Sequence, residues 1–204
     1  MKKSLPVLLV IASGALQAQS GELWLSGGAS ILTGHQLGSP SSDGQPADVL
    51  LFNGFRIGLR FGFNSAGHIG HEIQYAYNRT DLRDNTGLIL PDVPGAGTAI
   101  HQGGYNLLYY VPANKEGSKT RPFVTGGVQL SDFVLPGAGG PQGSSVRFGG
   151  NLGAGVKIRI SPLFALRVDL REYITGKPNW SGLLVKQSGL LYQTEVSAGF
   201  GVCF

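Results

Sequence analysis

Residues 190–204 read LLYQTEVSAGFGVCF and alternate between two kinds of side chain without a break. Because successive side chains of a β-strand point to opposite faces, Tyr192, Val196 and Phe200 would share one face. Glu195, with small or polar neighbours at every second position, would lie on the other face. The stretch therefore predicts a β-strand that has one apolar face and one polar face.

The same alternation recurs along most of the chain, and no segment keeps a sustained helical period. For example, Phe55, Ile57 and Leu59 alternate with Arg56 and Arg60. The sequence thus predicts an all-β fold. The predicted strands are about 22–34, 49–63, 69–79, 99–112, 121–134, 146–160, 164–174 and 190–204.

The connections between these strands alternate in length, with four long ones and three short ones. An up-and-down barrel of eight strands, with both chain ends on the periplasmic side, needs three periplasmic turns and four outer loops. We therefore predict a transmembrane eight-stranded antiparallel up-and-down β-barrel. The long connections are 35–48, 80–98, 135–145 and 175–189, and the short ones are 64–68, 113–120 and 161–163.

Alternation alone leaves open which face points inward, because a soluble lipocalin-like barrel would keep its charges outside. Aromatic residues gather near the strand ends, as the interfacial girdles of a membrane barrel would. This favours the membrane barrel, with the charged face inward. The aromatic residues toward the short turns are Phe61, Phe63, Tyr109, Phe123, Phe164 and Phe204, and those toward the long loops are Tyr75, Tyr77, Tyr105, Phe148 and Tyr192.

The first residues have the pattern of a secretory signal. Lys2 and Lys3 supply positive charge, and the apolar run over residues 5–12 is too short to span a bilayer as a helix. Cleavage after Ala18 or after Ala15 would suit the small residues nearby. We expect residues 1–18 to be a signal peptide and residues 19–204 to form one barrel domain.

Composition excludes several classes of function. The formal net charge of +4 falls to about +2 once Lys2 and Lys3 leave with the signal, so binding to nucleic acid is not implied. The single cysteine, Cys203, has no disulfide partner in the chain. No cofactor is expected.

The end of the chain carries a spaced motif. Ser197, Gly199, Val202 and Phe204 follow the order polar, glycine, hydrophobic, aromatic, and this spacing resembles the C-terminal insertion signal of bacterial outer-membrane β-barrels. Val202 occupies a position where an aromatic residue is commoner. The resemblance implies that the barrel-assembly machinery recognises this end during insertion.

A longer segment, GGNLGAGVKIRISPLFALRVDLREY over residues 149–173, resembles the penultimate hairpin of small OmpA- and OmpX-type outer-membrane barrels. In those barrels a glycine-rich strand, a tight turn and an Arg-x-Asp-x-Arg strand follow one another. The resemblance implies a non-enzymatic protein of the cell outer membrane, with a role in membrane integrity, surface interaction or adhesion. Its partners would be outer-membrane lipid and any surface ligand held by the outer loops, and we expect a monomer.

Charged residues on the inward pattern are the nearest approach to a functional site. Unpaired charges in so narrow an interior would be costly, so ion pairing is expected. Arg60 and Glu72 flank the turn at 64–68 symmetrically, with Phe63 and Ile69 paired in the same register. A structural filling of the lumen is one alternative, and a narrow, weakly anion-preferring diffusion pore is the other. The predicted lumen residues are Arg56, Arg60, Glu72, Lys157, Arg159, Arg167, Asp169, Arg171 and Glu195.

Catalysis has little support in the sequence. A lipid hydrolase built on a barrel wall would place a nucleophilic serine near a histidine, but neither His71 nor His101 has a serine two residues on. That enzyme is kept as a third hypothesis. His68, His71 and Glu72 do not suggest a metal site, because strand positions three apart point to opposite faces.

Overall fold

The structure is a computed structural model of the chain. It describes residues 20–33, 36–39, 49–65, 67–84, 97–111, 119–135, 143–180, 185–186 and 189–204. The predicted signal peptide at 1–18 lies outside these residues. Within the described residues there is no helix long and apolar enough to cross a membrane.

Eight long antiparallel strands close into a barrel, because the first long strand pairs with the last and each of the others pairs with its neighbours in the chain. The predicted fold class is confirmed. Three short strands lie beyond the barrel. The strands are β1 (Ser20–Thr33), β2 (Gln36–Ser39), β3 (Val49–Leu51), β4 (Gly54–Asn64), β5 (Ile69–Asp84), β6 (Gly97–Tyr110), β7 (Thr120–Val134), β8 (Ser144–Arg159), β9 (Phe164–Gly176), β10 (Val185–Lys186) and β11 (Leu190–Cys203).

The two ends of the barrel differ. At one, here called the turn end, β1 begins, β11 ends, and the connections 65–68, 111–119 and 160–163 join neighbouring strands. At the other, here called the loop end, the short strands β2, β3 and β10 join the projecting end of β5 in one small sheet. The pairing of β2 with β10 therefore links the first long connection to the last.

The strand predicted over residues 49–63 is interrupted. Phe52 and Asn53 separate β3 from β4. Hydrogen bonds to the two neighbouring strands fix these two residues. The Phe52 amide donates to the Asp81 carbonyl of β5 at 2.8 Å, and the Asn53 side-chain oxygen accepts the Leu32 amide of β1 at 2.8 Å. The interruption lets β3 leave the barrel wall and join the small sheet.

The register between β4 and β5 also differs from the prediction. Phe63 lies opposite His71, not opposite Ile69, and Arg60 lies opposite Gln74. The shift is two residues, and side chains alternate with a period of two, so every side chain keeps its predicted face. Arg60 and Glu72 become diagonal neighbours.

Burial follows the alternation along the barrel strands. In β4, the odd-numbered apolar residues from Phe55 to Phe63 are exposed or half-buried, whereas Arg56 and Arg60 are buried. Leu166, Val168 and Leu170 of β9 are exposed in the same way. The apolar face thus points outward, as a barrel surrounded by lipid requires.

Aromatic rings also enter the lumen near the turn end, among them those of Phe123 and Trp24. Phe123, which the sequence placed in an interfacial girdle, is 1% exposed and packs inside, so that prediction is wrong. The ring fits because it faces Gly155 across the sheet, where a Cβ would lie 2.5 Å from it. Trp24 is likewise buried against Gly201, where a Cβ would lie 2.4 Å from the indole. Glycine on the lumen face therefore makes room for large rings.

Candidate functional site: the filled lumen

Seven of the nine predicted lumen residues form one buried cluster in the middle of the barrel. They come from strands on two sides of the lumen, β4 and β5 on one and β9 and β11 on the other. All seven are 2% exposed or less, so their charges are removed from water and must be compensated by one another. The members are Arg56, Arg60, Glu72, Arg167, Asp169, Arg171 and Glu195.

Glu72 contacts guanidinium groups on both sides of the lumen. Its carboxylate lies 2.5 Å from Arg167 Nη1, 2.9 Å from Arg171 Nη2 and 3.9 Å from Arg60 Nε. The Asn106 amide also donates to it, at 3.1 Å. Glu72 on β5 is thereby joined directly to β9, across the interior of the barrel.

Glu195 and Asp169 complete the central cluster. Glu195 lies 3.0 Å from Arg56 Nε and 2.5 Å from Arg60 Nη2, and it also accepts the Tyr173 hydroxyl at 2.7 Å. Asp169 lies 3.1 Å from Arg60 Nη1 and 2.6 Å from Arg167 Nε. Each carboxylate thus serves at least two arginines, and the arginine forks make hydrogen bonds as well as charge contacts.

Lys157, the eighth predicted residue, forms a separate pair nearer the turn end. Its ammonium contacts the Glu22 carboxylate and donates to the Tyr110 hydroxyl at 2.6 Å. Glu22 also accepts the Trp24 indole N–H at 3.0 Å. The sequence analysis missed Glu22, although its position two residues before Trp24 puts it on the same inward face of β1.

Arg159 does not join either group. It lies at the end of β8, is exposed, and has no ion pair with a described carboxylate. The buried lumen therefore holds five cations and four carboxylates, whereas the sequence predicted six cations and three carboxylates. This near balance removes most of the positive charge on which the predicted anion preference depended.

A layer of neutral polar side chains lies above the ion pairs, toward the loop end. Gln102 Nε2 donates to Gln193 at 2.8 Å and to Ser131 at 3.0 Å, and Gln193 Nε2 donates to Asn78 at 3.0 Å. All four side chains are buried. Amide groups that both donate and accept can bridge strands across the lumen without adding charge.

An apolar cluster covers this polar layer at the loop end and is here called the cap. The Trp180 indole N–H donates to the Phe133 carbonyl at 3.1 Å, which fixes the ring in place. The cap joins barrel strands to residues of the long connections, so the lumen ends in tightly packed apolar side chains. Its members are Leu32, Leu37, Leu51, Leu82, Ile100, Phe133, Leu135, Trp180 and Leu191.

The histidines on the outer wall face tyrosines. His71 Nδ1 lies 2.5 Å from the Tyr105 hydroxyl, and His101 Nδ1 lies 2.7 Å from the Tyr75 hydroxyl. Each ring therefore has a hydrogen-bond partner that is not a nucleophilic serine. The described part of the chain also holds no group of three metal-ligating side chains.

The residues of the C-terminal motif are divided between the two faces of β11. Ser197 is buried and donates to Glu195, and Gly199 lies opposite Ser26. Val202 and Phe204 are exposed on the outer wall, and Phe204 exchanges backbone hydrogen bonds with Gly21. The motif thus lies where the first and last strands close the barrel at the turn end.

Solved structures from several bacteria have the same fold. Neisserial surface protein A is 15% identical with a TM-score of 0.62, and the match covers 90% of this chain and 97% of that one. OprG from Pseudomonas aeruginosa is 19% identical with a TM-score of 0.54, over 92% and 97% of the two chains. A major outer membrane protein from Thermus thermophilus is 13% identical with a TM-score of 0.53, over 92% and 100%.

At these identities the likeness to solved structures shows the fold alone. No curated protein sequence matches the chain significantly. The sequence profile of the outer membrane protein beta-barrel domain family, in contrast, matches residues 5–204. The closed barrel, the outward apolar face and this match together show that the chain belongs to the outer membrane protein beta-barrel domain family and lies in the cell outer membrane.

Proposed function

We propose that the protein is a non-enzymatic, structural component of the outer membrane that supports membrane integrity and carries its long connections at the cell surface. One observation carries the proposal: the lumen is filled from the Lys157–Glu22 pair to the cap at the loop end. Eight strands enclose only enough space for side chains, and here side chains occupy it. A filled barrel is suited to a structural role, not to solute passage.

The loop end supports a role at the surface. The pairing of β2 with β10, and of β3 with β5, links separate long connections into one sheet. Trp180, which precedes β10, is buried in the cap beneath. A ligand of the outer loops would therefore meet connections that are anchored to the barrel, which reduces the ordering cost of binding.

Loss of the protein from cells tests this proposal. We expect a deletion strain to take up more of a hydrophobic dye that an intact outer membrane excludes, while its uptake of a small hydrophilic solute stays unchanged. Expression of the wild-type protein from a plasmid should restore dye exclusion. If the deletion instead slowed uptake of the hydrophilic solute, the diffusion pore would be favoured. If it changed the uptake of neither the dye nor the solute, the integrity role would be contradicted.

We further propose that Ser197, Gly199, Val202 and Phe204 act as the insertion signal read by the barrel-assembly machinery. Phe204 is exposed at the turn end, where it would be accessible before the barrel closes. Once assembled, its amide donates to the Gly21 carbonyl at 2.9 Å and its ring lies 6.3 Å from that of Phe61.

Deleting Phe204 should slow assembly in cells several-fold, because the signal loses its terminal aromatic residue. The unfolding temperature of barrel that has already assembled should fall only slightly, since just one pair of edge hydrogen bonds is lost. Phe164→Leu is the matched control, because Phe164 is another exposed aromatic residue at the turn end. Normal outer-membrane levels of the truncated chain during rapid expression would count against the signal.

A further inference from the structure

Four cations gather along β7 and β8 at the turn end. Arg121 lies directly opposite Lys157, and the Arg159 amide donates to the Lys119 carbonyl at 2.6 Å, so Lys119 and Arg159 are neighbours across the two strands. Like charges opposite one another in a sheet are destabilising. Two such pairs follow one another along β7 and β8, and among the described residues the ion pair of Lys157 with Glu22 offsets only part of their cost.

The centre of the lumen differs from this end in the number of carboxylates that balance its cations. In the central cluster, four arginines contact three carboxylates. Around the four cations at the turn end, the described residues supply one carboxylate, Glu22, which is already bonded to Lys157 and Trp24. Lys119, Arg121 and Arg159 make no ion pair with a described carboxylate.

These side chains line a recess at the turn end. Its enclosed volume is about 10 Å³, which is about enough for one water molecule. The Arg121 guanidinium, which lines the recess, lies 4.0 Å from the centre of the Tyr110 ring, which holds it in place. A phosphate-sized anion would therefore lie at the mouth of the recess, in contact with the cations that line it. Its lining residues are Glu22, Trp24, Lys119, Arg121, Lys157, Arg159, Ala165 and Cys203.

We propose that the mouth of this recess binds a phosphate-bearing anion presented from the periplasmic side. The turn end of such a barrel faces the periplasm. The planar donor forks of Arg121 and Arg159 suit phosphate oxygens, and Lys119 adds a further positive charge. The bound anion would offset the like-charge repulsion between β7 and β8, for which the described residues supply one carboxylate, that of Glu22.

Calorimetric titration of the unchanged chain in zwitterionic detergent, with inorganic pyrophosphate as the probe, tests a soluble source of the anion. A second arm compares the unfolding temperature in phosphatidylcholine nanodiscs with and without phosphatidylglycerol, which tests a lipid headgroup. Saturable pyrophosphate binding, or a higher unfolding temperature with phosphatidylglycerol alone, would support the site and identify its source.

Arg121→Gln and Arg159→Gln should each weaken the binding about tenfold, because one charge-assisted contact is lost. Without the anion, both variants should be at least as stable as the unchanged chain, since a like-charge pair is removed. Lys177→Gln is the control, because Lys177 follows β9 at the loop end. The proposal is overturned if neither probe acts, or if the control weakens binding as much as the two arginine variants do.

Discussion

Glu72→Ala is expected to lower the free energy of unfolding by about 3–5 kcal/mol, the usual cost of removing one partner from a buried ion pair. The substitution leaves Arg167 and Arg171 without the carboxylate that now lies 2.5 and 2.9 Å from them. It also removes the acceptor of the Asn106 amide. Urea unfolding of the barrel in lipid vesicles would measure the loss.

Glu172→Ala provides the matched control for this experiment. Glu172 is a carboxylate of β9 on the outward pattern and accepts the Thr194 hydroxyl at 2.5 Å. We expect its removal to change stability by about 0.5 kcal/mol or less, as for most substitutions away from a buried network. Equal losses for the two variants would mean that the central ion pairs do not stabilise the barrel.

Val168→Arg is expected to cost about 2–4 kcal/mol, because it places a charge on the lipid-facing wall near the bilayer midplane. Val168 is 48% exposed and lies mid-strand in β9, opposite Ala198 on one side and Val156 on the other. The same vesicle unfolding assay measures this change.

Ile158→Arg tests the dependence on depth. Ile158 is on the same outer wall but lies next to the end of β8, so its arginine can reach the interface and should cost less. If both arginines were tolerated equally while Arg167→Leu destroyed the solubility of the chain, the apolar face would be the inside of a soluble barrel.

The alternation of side chains was enough to predict the barrel and most of its lumen. A two-residue period assigns each side chain to a face without any knowledge of its neighbours, which is why the inward places of Arg60, Asp169 and Glu195 could be predicted. The same period could not fix the register of β4 and β5, because a shift of two residues leaves both faces unchanged. Phe63 therefore pairs with His71 and not with Ile69.

Long-range contacts account for the remaining differences. The Glu22–Lys157 pair joins residues on opposite sides of the barrel, so nothing near either residue specified the other. Phe123 lies on the inward face of β7 with Thr125, and Gly155 on the next strand leaves space for its ring. Arg159 follows the inward alternation but lies at the strand end, where the lumen opens and no central carboxylate reaches it.

Single-channel recording in planar lipid bilayers tests the central claim most directly, because it measures whether ions cross the lumen. The unchanged protein should show only rare, small conductance steps, since the ion pairs and the cap occupy the interior. Glu72→Ala should make openings more frequent as the released arginines become mobile. Stable, high-conductance channels from the unchanged protein would contradict the filled lumen.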